Sequence, residues 1–579
     1  MAAQLLLEHD SGTGILTVKA DGLHPALRRY QAENRECLLL GHPIAGGQRD
    51  DAAVMRLLRS SSDIESFARA LDGNFLIVVH EPGDKSLHVV SDRFAAFAFY
   101  WSDRGGGRIA GSLSLVELIR HLGGVKFNDN ALAQFMHFRR VFGEVTADAR
   151  CQFLTSAGIL TNALRGTHVR KYWKPDYSAP RLSRRQASDE IAGALQRSMR
   201  MHMEDSASRR YALFLSGGLD SRALLAAAPQ PPFCVTTCAS FNNEAEVAQQ
   251  IAKAANAGFE FVPRPKTPYD GHLSEAIYYG GGQHIVTEAH FLGFQDHIKH
   301  PADCFFLGLG LDVFFGGLYL PKRPARWIGR DALHYKLQAL PEDIAGAFFS
   351  GVKYRLATSD PWQVVSSATR KRLREGVHQS LEEIAARGRA LGAEGHDLWE
   401  YMHLHNFGRH YSFLMIQSVR HWAECRAPAL CNDLLDIAVR LPAKNKANSQ
   451  AYLSALRKLS PELMRIRSAN TNIRAGMPFR RQSALRAARK TANLFGGGFR
   501  VSPAAQERSW PRPAQTLRSS PELTAAVNAL PKSDYLAGAG MFDMDAIRAH
   551  VSDHSDGRRD HSVLLLVLVT MNEFMRQVS

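Results

Sequence analysis

Residues 211–221 read YALFLSGGLDS, and most of the expected architecture follows from them. The apolar run 211–215 predicts a buried strand, the residues from Asp220 to Ala228 have helical periodicity, and two glycines lie between these segments. A glycine turn that joins a strand to a helix lets an anion approach the backbone, because the N–H groups of the loop and of the helix N-terminus face it. The segment therefore predicts a phosphate-binding loop.

The side chains of this loop suit a nucleoside triphosphate. The hydroxyls of Ser216 and Ser221 can add hydrogen bonds to phosphate, and the carboxylate of Asp220 can hold the Mg²⁺ that accompanies ATP. The loop lacks the Walker pattern, since no Gly-Lys-Ser/Thr follows, and it lacks the dinucleotide pattern G-x-G-x-x-G. A loop of this kind suits pyrophosphate as a leaving group. We therefore predict ATP and Mg²⁺ as cofactors and AMP as a product.

Strands and helices are predicted to alternate around the loop. Helical periodicity covers 183–203 and 244–255, and short apolar runs at 233–239 and 304–309 predict further strands. Alternation of this kind is typical of a parallel sheet. Beyond Gly317 the periodicity is mainly helical, and the apolar run 563–569 predicts a buried terminal helix.

The first 170 or so residues are predicted to be mostly β. Apolar stretches at 37–40, 75–79 and 87–90 are separated by turn residues in GHPIAGG, EPGD and SDRGGG. A chain of 579 residues with 45% apolar residues is long enough for two or more cores. We place the domains at 1–175 and 183–579.

The amino-acid composition narrows the cellular compartment and the class of partner that we expect. Seven scattered cysteines, an odd number, argue against a disulfide framework, and no signal peptide or membrane span is evident, so we expect a cytoplasmic protein. The net charge of +15 suggests an anionic partner, but no nucleic-acid module is recognisable, and nucleic acid ranks low. A basic stretch is either a solvated face or an attractor of phosphate or acidic peptide; it contains Arg465, Arg467, Arg474, Arg480, Arg481, Arg486, Arg489, Lys490 and Arg500.

Four motifs in order carry a resemblance to a known family. They are SGGLDS at 216–221, EAEVA at 244–248, GLGLDVFFGG at 308–317 and ECRAPAL at 424–430. The chain resembles the asparagine synthetase superfamily. The resemblance implies an α+β part followed by an α/β part: a degenerate Ntn-type, glutaminase-like β-rich N-terminal domain, then an adenine-nucleotide α-hydrolase-like (PP-loop) parallel-sheet synthetase domain with a helical C-terminal part.

The resemblance also implies roles for single residues. The phosphate loop would consist of Ser216, Gly217, Gly218, Leu219, Asp220 and Ser221, with Gly308 against the nucleotide. Asp220 and Asp312 would hold Mg²⁺, although Asp312 taken alone could be a strand-end cap. Glu424 would orient or deprotonate the amine, or else form a structural ion pair with Arg426. Arg467, with Arg474 as the alternative, stands nearest to the position of the family's catalytic lysine.

The N-terminal part departs from the glutaminase pattern. Residues 71–75, LDGNF, and 91–94, SDRF, resemble that domain, whose nucleophile is a cysteine immediately after the initiator methionine. Here Ala2 follows Met1, and the first cysteine is Cys37. We therefore expect no glutamine hydrolysis, and a domain that is a structural remnant or a docking surface.

The synthetase part departs as well, and this departure indicates the substrate. Leu309 and Val313 replace two acidic residues of the family, which speaks against aspartate plus ammonia. The chain also lacks the tyrosine that the β-lactam synthetases have at the position of Leu309. An N-terminal α-amine, with a pKa near 8, needs little activation. The resemblance thus favours the lasso peptide cyclases, which join an Asp or Glu side chain of a linear precursor peptide to its own α-amine.

Such a cyclase implies partners: the linear precursor peptide, a leader-peptide-processing protease and a leader-binding protein. Two alternatives stay open. One is an ammonia-dependent amide synthetase acting on a small carboxylate, and the other is an inactive peptide-binding scaffold, against which the intact loop and Asp312 speak.

Overall fold

A computed structural model describes residues 4–204, 209–327, 330–352, 359–405, 407–410, 412–494 and 510–579. Ala2 and Arg500, which the sequence analysis names, lie outside these ranges. The first part of the chain is rich in strands. Its elements are β1 (Gln4–Asp10), β2 (Ile15–Asp21), β3 (Arg28–Ala32), β4 (Arg35–Ala45), α1 (Asp51–Ser60), α2 (Ile64–Arg69), β5 (Leu71–Glu81), β6 (Ser86–Ser91), β7 (Tyr100–Asp103), β8 (Arg108–Ser112), α3 (Leu115–His121), α4 (Asp129–Phe138), β9 (Gln152–Phe153), β10 (Gly158–Ala163) and β11 (Gly166–Lys171).

These strands form two antiparallel sheets that face each other. Their orders are β2-β1-β8-β7-β9 and β11-β10-β6-β5-β4-β3. The sequence of β4 is apolar at consecutive positions instead of alternating. Leu38 and Leu40 pack between the sheets with Leu7, whereas Leu39 packs under α1 with Val54. The strand is therefore buried on both faces. Helices cover the outer faces, which gives layers of helix, sheet, sheet and helix.

The middle of the chain alternates between helices and strands, as predicted. Ser183 and Gln186 form a capping box that starts the first of its helices. The elements are α5 (Arg184–Met203), β12 (Tyr211–Phe214), α6 (Asp220–Ala227), β13 (Phe233–Cys238), α7 (Asn243–Ala254), β14 (Phe259–Pro263), α8 (Leu273–Gly280), β15 (Cys304–Phe306) and α9 (Leu311–Phe314).

The remainder is mainly helical, with one hairpin and one short strand. Its elements are β16 (Lys322–Trp327), β17 (Arg330–Leu337), α10 (Ile344–Gly351), α11 (Ser367–Arg389), α12 (Gly395–Leu404), α13 (Phe413–Arg420), β18 (Glu424–Arg426), α14 (Asn432–Arg440), α15 (Ala443–Lys446), α16 (Gln450–Leu459), α17 (Pro461–Arg465), α18 (Phe479–Leu494), α19 (Pro513–Ser519), α20 (Pro521–Ala529), α21 (Asp534–Gly538), α22 (Met544–Ser555) and α23 (Ser562–Val578).

A five-stranded parallel sheet organises the second half of the chain, in the order β14-β13-β12-β15-β18. Within this sheet, the central strand β12 comes first in sequence. Strands β13 and β14 follow on one side of it, and the chain then crosses over so that β15 and β18 lie on the other side. The order therefore reverses between β12 and β15. In open parallel sheets, ligands bind at such a switch point, outside the carboxyl ends of the strands.

The antiparallel first part and the parallel sheet confirm the predicted fold class. Two short pieces stand out from the mainly helical remainder of the chain. Residues from Lys322 to Leu337 form an antiparallel hairpin, and the segment from Glu424 to Arg426 is an edge strand of the parallel sheet. Both pieces are short, and runs of this length carry too little periodicity to separate strand from helix.

The apolar terminal segment forms the buried helix α23, as predicted. Within the described ranges, no helix combines the length and the apolar character needed to cross a membrane. All seven cysteines are free and buried. Of the basic stretch, Arg465, Arg474, Arg480, Arg481 and Arg486 are exposed.

The N-terminal part docks on the start of α14. The side-chain amide of Asn74 donates to the carbonyl of Leu430 at 3.1 Å, and the backbone N–H of Asn432 donates to Asp72 at 2.9 Å. Arg93 forms an ion pair with Asp436 at 3.0 Å. Residues of the segments 71–75 and 91–94 thus contact the second half of the chain at 430–436. The domain boundary near 175–183 remains a prediction; no helix or strand occupies 173–183.

Candidate active site

Two loops meet at the switch point of the parallel sheet. The loop 216–221 follows the carboxyl end of β12, and the segment 308–317 follows the carboxyl end of the neighbouring strand β15. Both approach the N-terminus of α6, which begins at Asp220. The predicted phosphate loop therefore lies where backbone N–H groups and the helix dipole attract an anion.

Hydrogen bonds between the two serines close the phosphate loop. The N–H of Ser216 donates to Oγ of Ser221 at 2.9 Å, and the two hydroxyl oxygens lie 3.1 Å apart. The N–H of Gly218 donates to Oγ of Ser216 at 3.2 Å. This ring of contacts preforms the loop, so the backbone needs little reorganisation to receive phosphate oxygens.

The two predicted metal ligands lie side by side. The backbone N–H of Asp312 donates to Oδ2 of Asp220 at 3.1 Å, and the hydroxyl of Tyr452 donates to Oδ1 of Asp220 at 3.1 Å. Burial, and then the negative charge of Asp312, raise the pKa of Asp220 well above its usual value. Two carboxylates that repel each other in this way form a site that a divalent cation would stabilise.

This donor set fits Mg²⁺. In the described part of the chain, no group of three or more His, Cys, Asp or Glu side chains could hold a metal ion. Mg²⁺ in nucleotide sites needs no such group, because it takes one or two carboxylates and completes its shell with phosphate and water. Asp220 and Asp312 would supply the protein ligands.

Two glycines in the site stand where no side chain fits. A Cβ at Gly308 would lie 2.6 Å from the backbone nitrogen of Ser221 and 2.8 Å from the carbonyl carbon of Asp220. A Cβ at Gly217 would lie 2.5 Å from Cβ of Ala469. Gly308 therefore lets the segment after β15 press on the start of α6. Gly217 lets the segment 466–478, which contains Ala469 and is called the covering loop below, pack over the phosphate loop.

Arg222 holds the covering loop against the phosphate loop by hydrogen bonds. The sequence motifs did not predict this role for Arg222. Its guanidinium donates to the carbonyls of Leu463 at 3.1 Å, Ile466 at 3.2 Å and Arg467 at 3.0 Å. It also donates to the carbonyl of Gly217 at 3.3 Å, so one buried side chain joins the covering loop to the phosphate loop. Only its place two residues after Asp220 could have drawn attention to it.

Replacing Arg222 with Met is expected to lower the free energy of unfolding by about 2–4 kcal/mol, because buried carbonyls lose their donor. The substitution should also raise the KM for ATP, since the covering loop is no longer tied to Gly217. Denaturant titration and steady-state kinetics measure the two effects. Arg200→Met, at an exposed position of α5, is the control. Unchanged stability would contradict the role assigned to Arg222.

Glu244 supports the loop from the other side. Its carboxylate accepts a hydrogen bond from the backbone of Gly217, and burial raises its pKa. The neighbouring Asn243 donates to the carbonyl of Ala469 at 2.8 Å. The motif 244–248 thus contacts the phosphate loop, as the resemblance implies.

Arg467 lies beside the phosphate loop, but its guanidinium is already engaged. It donates to Oδ1 of Asn472 at 2.6 Å and to Oδ1 of Asn243, and it forms an ion pair with Glu246 at 2.9 Å. The structure therefore places Arg467 near the nucleotide site and in a network that holds the covering loop. Arg474, bridged to it through the backbone, is exposed.

Glu424 does not join the site, which corrects the prediction of a catalytic role. It pairs in register with Cys304, which pairs in turn with Tyr211, so all three residues lie at the amino ends of their strands. The phosphate loop begins five residues beyond Tyr211, about 16 Å along the strand direction. The residue therefore lies at the opposite end of the sheet.

The surroundings of Glu424 explain what it does instead. Its carboxylate accepts a hydrogen bond from Nε of Arg426 at 2.6 Å, contacts Arg209, and lies 3.3 Å from Nε2 of His42. Burial opposes the charged form, but the charges of Arg426 and Arg209 lower the pKa of Glu424 below its usual value. This is the structural ion pair that the sequence analysis kept as the alternative.

Glu424→Gln is expected to leave kcat nearly unchanged and to lower the free energy of unfolding by about 3 kcal/mol, because the buried Arg426 loses its counter-charge. Activity at saturating substrate and chemical denaturation test the two parts separately. A loss of kcat in a protein of unchanged stability would restore the catalytic interpretation.

Lys322 and Tyr452 are further site residues that sequence reasoning missed. The ammonium of Lys322 donates to the carbonyl of Gly316 at 3.4 Å and to that of Gly317 at 2.5 Å, in the turn that follows Asp312. Burial lowers the pKa of Lys322 to about 8. Lys322 lies on the hairpin and Tyr452 on α16, both distant in sequence from the motifs, so no local pattern pointed to them.

The SGGLDS loop and two carboxylates thus lie together at the switch point of a parallel sheet, where an anion and a divalent cation could bind. Residues 190–465 match the family model described as asparagine synthase. This part of the chain, somewhat less than half of the whole, is similar to the asparagine synthase family, whose members are ATP-dependent amide ligases that form AMP and pyrophosphate. The predicted enzyme class is confirmed at that level.

No curated protein matches the chain significantly. Among solved structures, 24 chains match. One is the glutamine phosphoribosylpyrophosphate (PRPP) amidotransferase from B. subtilis complexed with ADP and GMP, which is 10% identical over 45% of this chain and 59% of that chain, with a TM-score of 0.20. The chain thus spans about three fifths of that protein, and a TM-score this low adds nothing to the assignment of the site.

Proposed function

We propose that the protein forms a macrolactam in lasso peptide biosynthesis. ATP would activate an Asp or Glu side chain of a linear precursor peptide as an acyl-adenylate, with release of pyrophosphate. The peptide's own α-amine would then attack the acyl carbon, form the isopeptide bond and release AMP. The cytoplasmic location, the leader-processing protease and the leader-binding protein are part of the same proposal.

The first half of this chemistry rests on the phosphate loop. The N–H groups at the start of α6, together with Ser216 and Ser221, would bind the β- and γ-phosphates and stabilise the charge that develops on the leaving pyrophosphate. Mg²⁺, when bound, would neutralise that charge further. The ammonium of Lys322, which donates to a carbonyl of the turn after Asp312, adds a positive charge on the same side of the site.

The second half rests mainly on Leu309. This residue lies between the two glycines that open the segment 308–317, and its side chain is half-buried against the core of the parallel-sheet domain. The buried Val313 follows, so Asp312 is the only acid of the segment. A site for free aspartate and ammonia needs carboxylates to bind the amino group and the ammonium ion. An apolar residue there favours a peptide whose amine arrives with the rest of the molecule.

Tethering both reactants in one peptide reduces what the active site must provide. An α-amine with a pKa near 8 is partly neutral at physiological pH, so it can attack without a strong base. The enzyme then acts chiefly by holding the two ends of one chain together, which raises their effective concentration. This agrees with the absence of Glu424 from the site.

Mass spectrometry of a single competition reaction tests the proposal. The mixture contains the full-length protein, ATP, Mg²⁺, aspartate, ammonia and the linear peptide encoded beside this chain, with its maturing protease. We expect the peptide to lose one water in step with AMP formation. Asp220→Asn serves as the inactive control.

The alternatives give different products. Asparagine, or another amide formed with free ammonia and no change in the peptide, would overturn the cyclase proposal and favour a small-carboxylate synthetase. Peptide binding without any AMP, equal for the wild type and Asp220→Asn, would favour the scaffold.

A further inference from the structure

A cavity away from the phosphate loop lies between the N-terminal part and the helical part of the chain. Its volume is about 180 Å³. It is bounded by the segment after β11, the end of α11, the end of α12 and one face of α14. Five aromatic side chains line it: Phe94, Trp173, Tyr177, Tyr401 and Phe407.

The size and lining of the cavity suit an apolar group as large as an aromatic ring. A dry, apolar cavity of about 150 Å³ is large enough to take benzene. Leu391 and Leu404 complete the apolar wall here. Lys174, at the edge, is exposed, so the cavity opens to solvent there.

All charged residues of the lining are positive. The lining contains the cations Arg93, Lys171, Lys174 and Arg387, together with Ser156 and His405, and no acidic residue. Two of these cations already have partners outside the cavity: Arg93 pairs with Asp436 at 3.0 Å, and Arg387 pairs with Glu144 at 2.9 Å.

Lys171 differs from its neighbours. It is half-buried, and among the described residues none forms a hydrogen bond or ion pair with its ammonium group. Burial lowers its pKa to about 8, which leaves most of the ammonium charged at neutral pH. The acid that acts on this charge, Glu144, is already paired with Arg387, so the cost of burying the charge is offset only in part. An anion in the cavity would remove that cost.

The cavity is separate from the nucleotide crevice. Its walls Phe94 and Phe407 contact Phe314, with ring centroids 6.0 and 5.3 Å apart, and Phe314 belongs to α9, the helix that holds Asp312. The cavity therefore lies behind α9, on the side away from the phosphate loop.

We infer that this cavity binds a carboxylate joined to a ring-sized apolar group, with the carboxylate on Lys171 and the apolar group among Trp173, Tyr401 and Phe407. Two sources share this chemistry: a free arylalkanoic acid, and the C-terminal aromatic residue of a peptide. The inference is independent of the proposed cyclase activity.

Isothermal titration of the full-length protein tests it with three probes. They are 3-phenylpropionate for the free acid, N-acetyl-Ala-Phe for the peptide terminus, and 3-phenylpropanamide as the neutral analogue. At least one acid is expected to bind saturably, and the amide about tenfold or more weakly, since it lacks the charge that pairs with Lys171. The tighter acid identifies the source.

Variants locate the binding site. Lys171→Met retains the apolar stem and removes the charge, so it should weaken the acid about tenfold. Leu391→Trp fills the cavity and should abolish binding of both acids, whereas Lys532→Met, at an exposed position, should change nothing. The inference is overturned if neither acid binds, if the amide binds as tightly as the acid, or if Leu391→Trp binds normally. The comparison of acid with amide on the unmodified protein decides the matter even if a variant does not fold.

Discussion

Asp220→Asn is expected to reduce AMP formation at least about a thousandfold, because the carboxylate that would hold Mg²⁺ against the leaving pyrophosphate is lost. The amide retains the shape of the side chain: its oxygen can accept from the N–H of Asp312, and its NH₂ group can donate to the hydroxyl oxygen of Tyr452. The fold should therefore survive. Quantifying AMP by chromatography under single-turnover conditions measures the loss.

The same variant is expected to be more stable than the parent when Mg²⁺ and ATP are absent. The pKa of Asp220 is raised in the folded state, so this group contributes stability at low pH, which is lost as the pH rises through the folded-state pKa. Removing the charge at neutral pH therefore raises the melting temperature, and the gain should shrink as the pH falls.

Asp303→Asn provides the matched control. Asp303 lies at the amino end of β15, where its hydrogen bonds with Arg210 lower its pKa to about 2. Its contribution has the opposite sign: it is present above the unfolded pKa and lost in acid. The control should retain AMP formation and lose stability at neutral pH. If Asp220→Asn retains activity, or if both variants lose stability equally, the metal-site interpretation of Asp220 is wrong.

Gly308→Ala is expected to reduce AMP formation about a hundredfold or more, the effect of moving a reacting group by about 1 Å. The added Cβ would lie 2.6 Å from the backbone of Ser221 and 2.8 Å from that of Asp220. Because both contacts are with backbone atoms and not with a flexible side chain that could move aside, the start of α6 must shift. The measurement is kcat/KM for ATP.

Gly351→Ala, at the end of α10, separates this effect from a general intolerance of alanine. A Cβ there would meet nothing closer than the Trp399 ring at 4.0 Å. The control should behave like the parent protein. Normal activity in Gly308→Ala would show that the close packing of β15 on α6 is not needed for the reaction.

Much of the site could be predicted because its parts are local in sequence. The strand, the glycine turn and the helix at 211–227 form one continuous pattern, and Asp312 belongs to a motif that follows a second strand of the same sheet. In a parallel sheet the carboxyl ends of neighbouring strands meet at one edge, so these two loops had to converge.

The remaining parts depend on contacts that no periodicity reports. Glu424 lies on a strand of three residues, and only its pairing with Cys304 decides at which end of the sheet it stands. Arg222 acts through four carbonyls, of which three lie more than 240 residues later. No sequence pattern indicates that a side chain donates to backbone carbonyls so distant in the chain.

The transfer of oxygen from the substrate to AMP tests the central claim most directly. A linear peptide with ¹⁸O in the carboxylate of its reactive Asp or Glu is incubated with the protein, ATP and Mg²⁺, and the AMP is examined by mass spectrometry. If the carboxylate attacks the α-phosphate, one ¹⁸O atom appears in each AMP formed. ADP in place of AMP, or AMP without the label, would contradict the account.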